Sequence, residues 1–206
     1  MTQISKPKSW GSWVAGAVLA AAFLAVAVLA VREHSMRREI GEPLAVLPEF
    51  HLLDQSGQPV TLETLRGQPW VVNFIFTRCG GQCPLLTQRM KKLAGLLPAG
   101  VRLVSLSVDP EFDTPAILAA YAREQSAVDP RWSFLTGPTE DVRSLIRSGF
   151  LLALEPGQPD ALEPILHSTR FVLVDAQGRV RRYGEAFEDG ALEMLARDAG
   201  RLRGMR

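Results

Sequence analysis

The only two cysteines of the chain, Cys79 and Cys83, lie where a buried strand gives way to a helix. No other stretch constrains the fold as much. Upstream, Trp70-Val71-Val72-Asn73-Phe74-Ile75-Phe76 is β-branched and aromatic, the composition of a buried strand. Downstream, Leu86, Met90, Leu93 and Leu97 recur at steps of four, three and four, which is one face of a helix. Pro84 suits the first turn of that helix, where its missing N–H removes no bond. Both sulfurs therefore belong to a strand-to-helix corner, at the positive end of the helix dipole. That field favours thiolate over thiol.

The rest of the domain alternates around this corner. Residues 50–53 and 60–62 read as strands joined by the turn Asp54-Gln55-Ser56-Gly57-Gln58-Pro59, a hairpin. Residues 101–108 form the next strand, stopped by Asp109-Pro110. Asp113-Thr114-Pro115 then opens a helix to about residue 125, with Asp113 as candidate cap. A short strand over 131–135 and a helix over 139–147 follow. A loop over 154–164, with three prolines and one glycine, leads to His167 and a strand over 168–174. Residues 179–183 pair back, and a last helix starts near Gly190. The order predicts an α/β domain: a central mixed sheet with parallel inner strands, helices on both faces and an N-terminal β-hairpin. A dithiol at the carboxyl end of a central strand, opening a helix, is where thioredoxin-like folds place theirs.

Ahead of this domain, eighteen residues from Val14 to Val31 carry no charge, with Trp10 and Trp13 at the front edge and Arg32 at the end. About twenty apolar residues span a bilayer as a helix, and Trp belongs at its interface. The rival is a cleaved secretory signal ending at Val28-Leu29-Ala30, but the run exceeds the usual ~7–15-residue core. Lys6 and Lys8 precede the span while Arg32, Arg37 and Arg38 follow it, so charge alone does not orient it. The expected division is a segment over 1–12, a transmembrane anchor over 13–31, a linker over 32–48 and one domain over 49–206. With 206 residues, a formal net charge of +1 and no basic run, nothing points to nucleic acid. Two cysteines are also too few for a disulfide framework.

Two thiolates four residues apart can close a disulfide or clasp a soft metal; the bland alternative is an inert buried pair. Two sulfurs make a poor zinc site, whereas Cu(I) accepts two or three ligands and prefers thiolate with imidazole. The chain offers only three histidines for a third position: His34 in the linker, His51 in the first hairpin strand and His167. His167 precedes a strand expected to neighbour the cysteine-bearing one. It is a candidate ligand beside the reading of an ordinary loop residue.

These residues carry a resemblance. Phe74-x-Phe76-Thr77-x-Cys79-x-x-x-Cys83-Pro84 resembles the signature of the Sco/SenC family. Ser107-Val108-Asp109-Pro110-x-x-Asp113-Thr114-Pro115 is similar to its second block, and His167-Ser168 followed by Phe171-x-Leu173-x-Asp175-x-x-Gly178 to its third. The resemblance runs from Phe50 to the C-terminus. It implies a thioredoxin-like domain tethered to a membrane, facing the bacterial periplasm or the mitochondrial intermembrane space, with residues 1–12 in the cytoplasm in the bacterial case. It also implies copper handling for the copper A site of cytochrome c oxidase, with the oxidase subunit or another copper chaperone as partner. By the same resemblance Cys79 and Cys83 are the thiolate ligands and His167 the imidazole ligand. Gly80 and Gly81 stand where family members usually carry Pro and Asp. That removes a negative charge beside the thiolates and loosens the loop, so copper affinity and redox potential are expected to differ from the family's usual range.

The leading expectation is thus a metallochaperone rather than an enzyme, with the 154–164 loop mobile until metal draws His167 in. The alternative is a thiol–disulfide oxidoreductase that reduces the cysteines of a partner copper site. A peroxide-reducing enzyme ranks below both, because no further motif supports it. Asp109 and Asp113 are read as structural, as strand end and helix cap, ahead of roles near the metal or at a partner.

Overall fold

The computed structural model describes residues 18–28, 40–152 and 169–204. The chain divides into two compact units, Met1–Gly41 and Glu42–Arg206. In the first, residues 18–28 form a helix (α1) whose Val18, Leu19, Phe23, Leu24, Val26 and Val28 are exposed. Among the described residues no helix is long and apolar enough to cross a membrane. The remainder of the expected 13–31 anchor lies outside them.

The second unit is built on one eight-stranded mixed sheet. In chain order its elements are β1 (Ala45–Val46), β2 (His51–Asp54), β3 (Pro59–Thr61), α2 (Leu62–Leu65), β4 (Trp70–Ile75), α3 (Gln82–Leu96) and β5 (Arg102–Ser107). There follow α4 (Pro115–Glu124), β6 (Trp132–Thr136), α5 (Thr139–Ser144) running into a π-helical turn (Leu145–Gly149), β7 (Arg170–Val174), β8 (Arg179–Glu185) and α6 (Ala191–Gly204). The strand order is β1-β8-β7-β4-β5-β6-β2-β3. The central β4, β5 and β6 are parallel, with Val72 opposite Val104 and Leu103 opposite Trp132. The closing β7–β8 hairpin adds antiparallel strands beside β4, and the β2–β3 hairpin closes the other edge.

β4 is buried along its whole length because helices cover both faces. Trp70, Val72 and Phe74 point to one side with Val104, Leu106, Leu135 and Val172, where Val142, Leu145, Ile146 and Phe150 close the core. The Phe150 ring meets Trp70 and Phe74 edge-on, at centroid distances of 6.1 and 5.3 Å. The alternate residues, among them Val71, Asn73, Leu103 and Ser105, lie on the side of α3, with α4 packed on β6 and α6 on β8. Leu86, Met90, Leu93 and Leu97 are all buried, as their spacing requires.

Three details differ from the expectations. Within the stretch read as linker, Ala45 and Val46 pair with Val180 and Arg179, because their backbone groups complete the open edge of β8. Leu62 is the first residue of α2 rather than the end of a strand, since Thr61 caps that helix reciprocally with Thr64. The cap of α4 is Thr114, whose side chain accepts from Ile117 N–H at 3.4 Å, and not Asp113. Asp113 is recruited elsewhere.

Candidate metal centre

The corner begins where β4 ends. Cys79 N–H donates to Phe76 carbonyl at 3.2 Å, turning the chain out of the sheet. Gly81 occupies the position before α3, and Cys83 and Pro84 are the second and third residues of that helix. With Pro84 in the first turn, no backbone donor is lost where a helical bond is required. Cys79 is half-buried and Cys83 is 5% exposed; both are free thiols.

The two sulfurs are not equivalent. Cys79 Sγ accepts from Cys83 N–H at 3.4 Å. Burial pushes the Cys79 thiol up, but backbone N–H groups of Cys83, Gly81 and Gln82, together with the Cys83 thiol, outweigh it and hold the group below the ordinary thiol range. Burial pushes Cys83 up to about 12, helped by the neighbouring Cys79 and Asp113 charges. The corner therefore holds one more acidic, accessible thiol and one buried thiol that stays protonated at neutral pH. The helix N-terminus acts on Cys79 through these N–H groups, as expected from its place in the sequence; the same expectation fails for Cys83, where burial outweighs the helix field.

Below the corner lies a buried polar network. Asp113, wholly buried, accepts from Thr77 N–H at 3.1 Å, Thr77 Oγ1 at 2.5 Å and Ser107 Oγ at 2.6 Å. Burial pushes its carboxyl above the usual range, against the pull of those hydrogen bonds. Asp109 accepts from Arg78 Nη2 at 2.6 Å and Nε at 3.1 Å, while the Arg78 guanidinium lies 4.4 Å from the centre of the Phe112 ring. Deeper in, Thr87 Oγ1 donates to the Cys83 carbonyl and meets the Tyr121 hydroxyl, each at 2.9 Å. From sequence alone Asp109 and Asp113 read as local features, a strand end and a helix cap. Their grip on Thr77 and Arg78 spans 36 and 31 positions, and only the shared Asp-x-x-x-Asp spacing after β5 hinted at a common task.

Of the three histidines, His51 is exposed on β2, opposite Thr61. That strand is three neighbours from β4, about 14 Å across the sheet. His34 and His167, like the 154–164 loop, lie outside the described residues. β7 does neighbour β4 as expected, antiparallel, with Val172 opposite Val72 and Val174 opposite Trp70. The chain thus enters β7 at the end of the sheet where β4 delivers the cysteines. Among the described residues no group of three His, Cys, Asp or Glu side chains forms a metal cluster.

The fold and corner define a class: an α/β domain with a dithiol at the carboxyl end of a central strand. Within that class the chain matches SCO1/SenC across residues 38–197, and it belongs to this family. It is 34% identical over 148 residues to the SCO1 protein homolog of Bacillus subtilis, covering 69% of this chain and 76% of that one. Among solved structures it resembles BsSco, described as a member of the Sco family of cytochrome c oxidase assembly proteins with a disulfide switch. That match has a TM-score of 0.71 and 29% identity, over 81% of this chain and 98% of that one. It also resembles Bradyrhizobium japonicum ScoI with copper bound, with a TM-score of 0.58 and 27% identity, over 77% and 99%.

Proposed function

We propose that this protein is a membrane-tethered copper metallochaperone whose thioredoxin-like domain binds one copper ion through Cys79, Cys83 and His167. It passes the metal to the copper A site of cytochrome c oxidase, directly or through another copper chaperone. The observation that carries the reading is the unequal thiol pair: a half-exposed Cys79, held below the ordinary thiol range, whose sulfur lies within hydrogen-bond reach of the Cys83 backbone N–H. Two thiolates and an imidazole are the donor set that a soft, low-coordinate copper ion prefers. The entry of β7 beside the corner, with His167 three residues earlier in sequence, supports the third ligand. The copper-bound ScoI structure supports the metal. Cys79 offers its thiolate first; Cys83 loses its proton as the second sulfur coordinates. Handing over is then stepwise exchange with a partner's thiolates, and Cys79 is the exposed sulfur at which it begins. The anchor over 13–31, with the domain facing the periplasm, keeps that exchange at the membrane.

The test is copper titration of the reduced full-length chain beside Cys79→Ser, Cys83→Ser and His167→Ala. One tight copper per chain, lost in both cysteine variants and weakened about a hundredfold or more in H167A, is expected. Binding that ignores His167 would remove it from the site.

The inequality of the thiols also favours a second reading, reduction of a partner disulfide. Cys79 thiolate would attack one partner sulfur, forming a mixed disulfide and releasing the other as thiolate. Cys83, giving up its proton, would then attack Cys79 and free the second partner thiolate, so that two electrons pass to the partner and Cys79–Cys83 closes. Both roles use the same reduced pair.

A further inference from the structure

The loop from Ser107 to Asp113 grips the two residues that precede Cys79, while Cys79 itself is tied locally, by its N–H to the Phe76 carbonyl and by its sulfur to the Cys83 N–H. Thr77 is held at its N–H and its hydroxyl by Asp113, and Arg78 at its guanidinium by Asp109. The loop is braced in turn: Asp109 N–H donates to Ser107 Oγ, and Asp113 N–H to the Asp109 carbonyl. On the far side, Cys83 is fixed within α3, with Thr87 on its carbonyl. Between these anchors Gly80 and Gly81 supply no packing; a methyl group at either would touch nothing within 4 Å. Beside those local bonds, the long-range ties that set where Cys79 stands against Cys83 act through Thr77 and Arg78.

We propose that Asp113 is a positioning residue for the Cys79 sulfur, which acts through Thr77 and sets the effective concentration of one thiol at the other. The proposal rests on the reading of Cys79 and Cys83 as the copper-binding pair, but the closeness of the two sulfurs also governs their disulfide. Asp113 has the features such a post needs. It is wholly buried, its acceptor oxygens are turned to the ends of β4 and β5, and among the described residues no cation pairs with it. Chelation and disulfide closure both require the two sulfurs to meet, so losing the post weakens both together.

The experiment compares full-length wild type with Asp113→Ala, Asp113→Asn and Thr77→Val. Each is equilibrated with glutathione, one oxidised glutathione being consumed and two reduced ones released per Cys79–Cys83 disulfide. Cu(I) affinity is measured separately against a chromogenic chelator. D113A is expected to lower both the disulfide equilibrium constant and the Cu(I) association constant by about tenfold. D113N keeps an acceptor for Thr77 and is expected to recover most of that loss. T77V removes only the hydroxyl arm and is expected to fall between, which keeps the test open if D113A does not fold. A D113A or T77V protein with wild-type disulfide equilibrium and merely a lower melting temperature would overturn the proposal, since that is what a purely structural carboxylate would give. D113N as impaired as D113A would overturn it too, because the charge and not the clamp would then matter. If wild type failed to bind copper, the chaperone reading would fall while the glutathione arm still judged Asp113.

Discussion

Two buried carboxylates sit in the connections that follow β7 and β5, Asp175 and Asp113, and they are satisfied in opposite ways. Asp175, at the turn from β7 to β8, accepts from the Gln177 and Arg179 backbone N–H groups, both at 3.0 Å. It is also paired with two cations, Arg179 Nε at 2.8 Å and Arg181 Nη1 at 3.1 Å. Gly178, with φ of +80°, completes that turn in a conformation few other residues adopt. Asp113, beside the cysteine corner, has only hydroxyl and backbone donors among the described residues. Cations make the far turn a matter of stability. Neutral donors leave a buried carboxyl without a paired cation next to the thiols; burial raises its own proton affinity, and its charge helps burial to raise that of Cys83. Among the described residues the one ion pair at the corner, Arg78–Asp109, belongs to the other carboxylate of the loop, and Asp113 keeps to neutral hydrogen bonds.

The sharpest way to break this contrast is Asp175→Ala. With Arg181 only 5% exposed, the substitution takes a carboxylate from a buried ion pair, and a loss of about 3–5 kcal/mol is expected in urea unfolding. The Cys79–Cys83 disulfide equilibrium of the folded fraction should stay within about twofold of wild type, since the two regions share no partner. A large shift in that equilibrium would show that the turn and the corner are coupled after all.

Thiol chemistry sharpens the other side. Alkylation by iodoacetamide at pH 7 should label Cys79 ahead of Cys83 by on the order of a hundredfold, because the thiolate is the reactive form. The sign follows from the two shifts. Cys79, held below its ordinary value of 9.0, reaches half-maximal reactivity below that pH, while Cys83 at about 12 stays protonated throughout the neutral range. Peptide mapping after a short pulse checks the order, and equal labelling would mean that the corner does not distinguish its sulfurs.

A smaller effect is expected from Ser107→Ala. It deletes one donor to Asp113 and the acceptor for Asp109 N–H in a site with no solvent access, a loss of about 1–3 kcal/mol. Because the Thr77 arm remains, Cu(I) affinity should fall less than in Asp113→Ala.

Much of this arrangement is legible in the sequence because it is periodic. The apolar run of β4, the four-three-four spacing of α3 and the place of Pro84 each report on their own element, and all lie where they were expected. The neighbouring of β4 and β7 follows from the order of strands. What local patterns miss is contact at a distance. Asp113 stands where a helix cap belongs, and only the tertiary approach of Thr77, 36 positions away, diverts it and leaves the cap to Thr114. Ala45 and Val46 sit among charges and prolines and look like tether until β8 offers them an edge. The π-helical turn at Leu145–Gly149 has no sequence signal of its own; it carries the chain to Phe150, which Trp70 and Phe74 receive.

The mildest test concerns the point where the chain re-enters the sheet after His167. Thr169 Oγ1 donates to Glu185 at 2.8 Å, Arg170 Nε donates to the same carboxylate at 2.6 Å, and Ala186 N–H donates to the Thr169 carbonyl at 2.9 Å. The bond from Arg170 is the main reason that the Glu185 carboxyl lies below its ordinary value of 4.5; burial opposes the shift and Thr169 adds to it. A carboxylate with a depressed folded value contributes stability that is fully present above about pH 4.5 and is lost as pH falls through the lower folded value. Since Arg170 is half-exposed and Glu185 a third exposed, solvent screening limits the effect to about 0.5 kcal/mol. Glu185→Gln should therefore be slightly less stable than wild type at pH 7, with the difference shrinking as the pH falls below 4.5. If this tie also registers the entry to β7, H167A and E185Q should show non-additive losses of Cu(I) affinity in a double-mutant cycle. Strict additivity would make the Glu185 tie a feature of the β7–β8 hairpin alone.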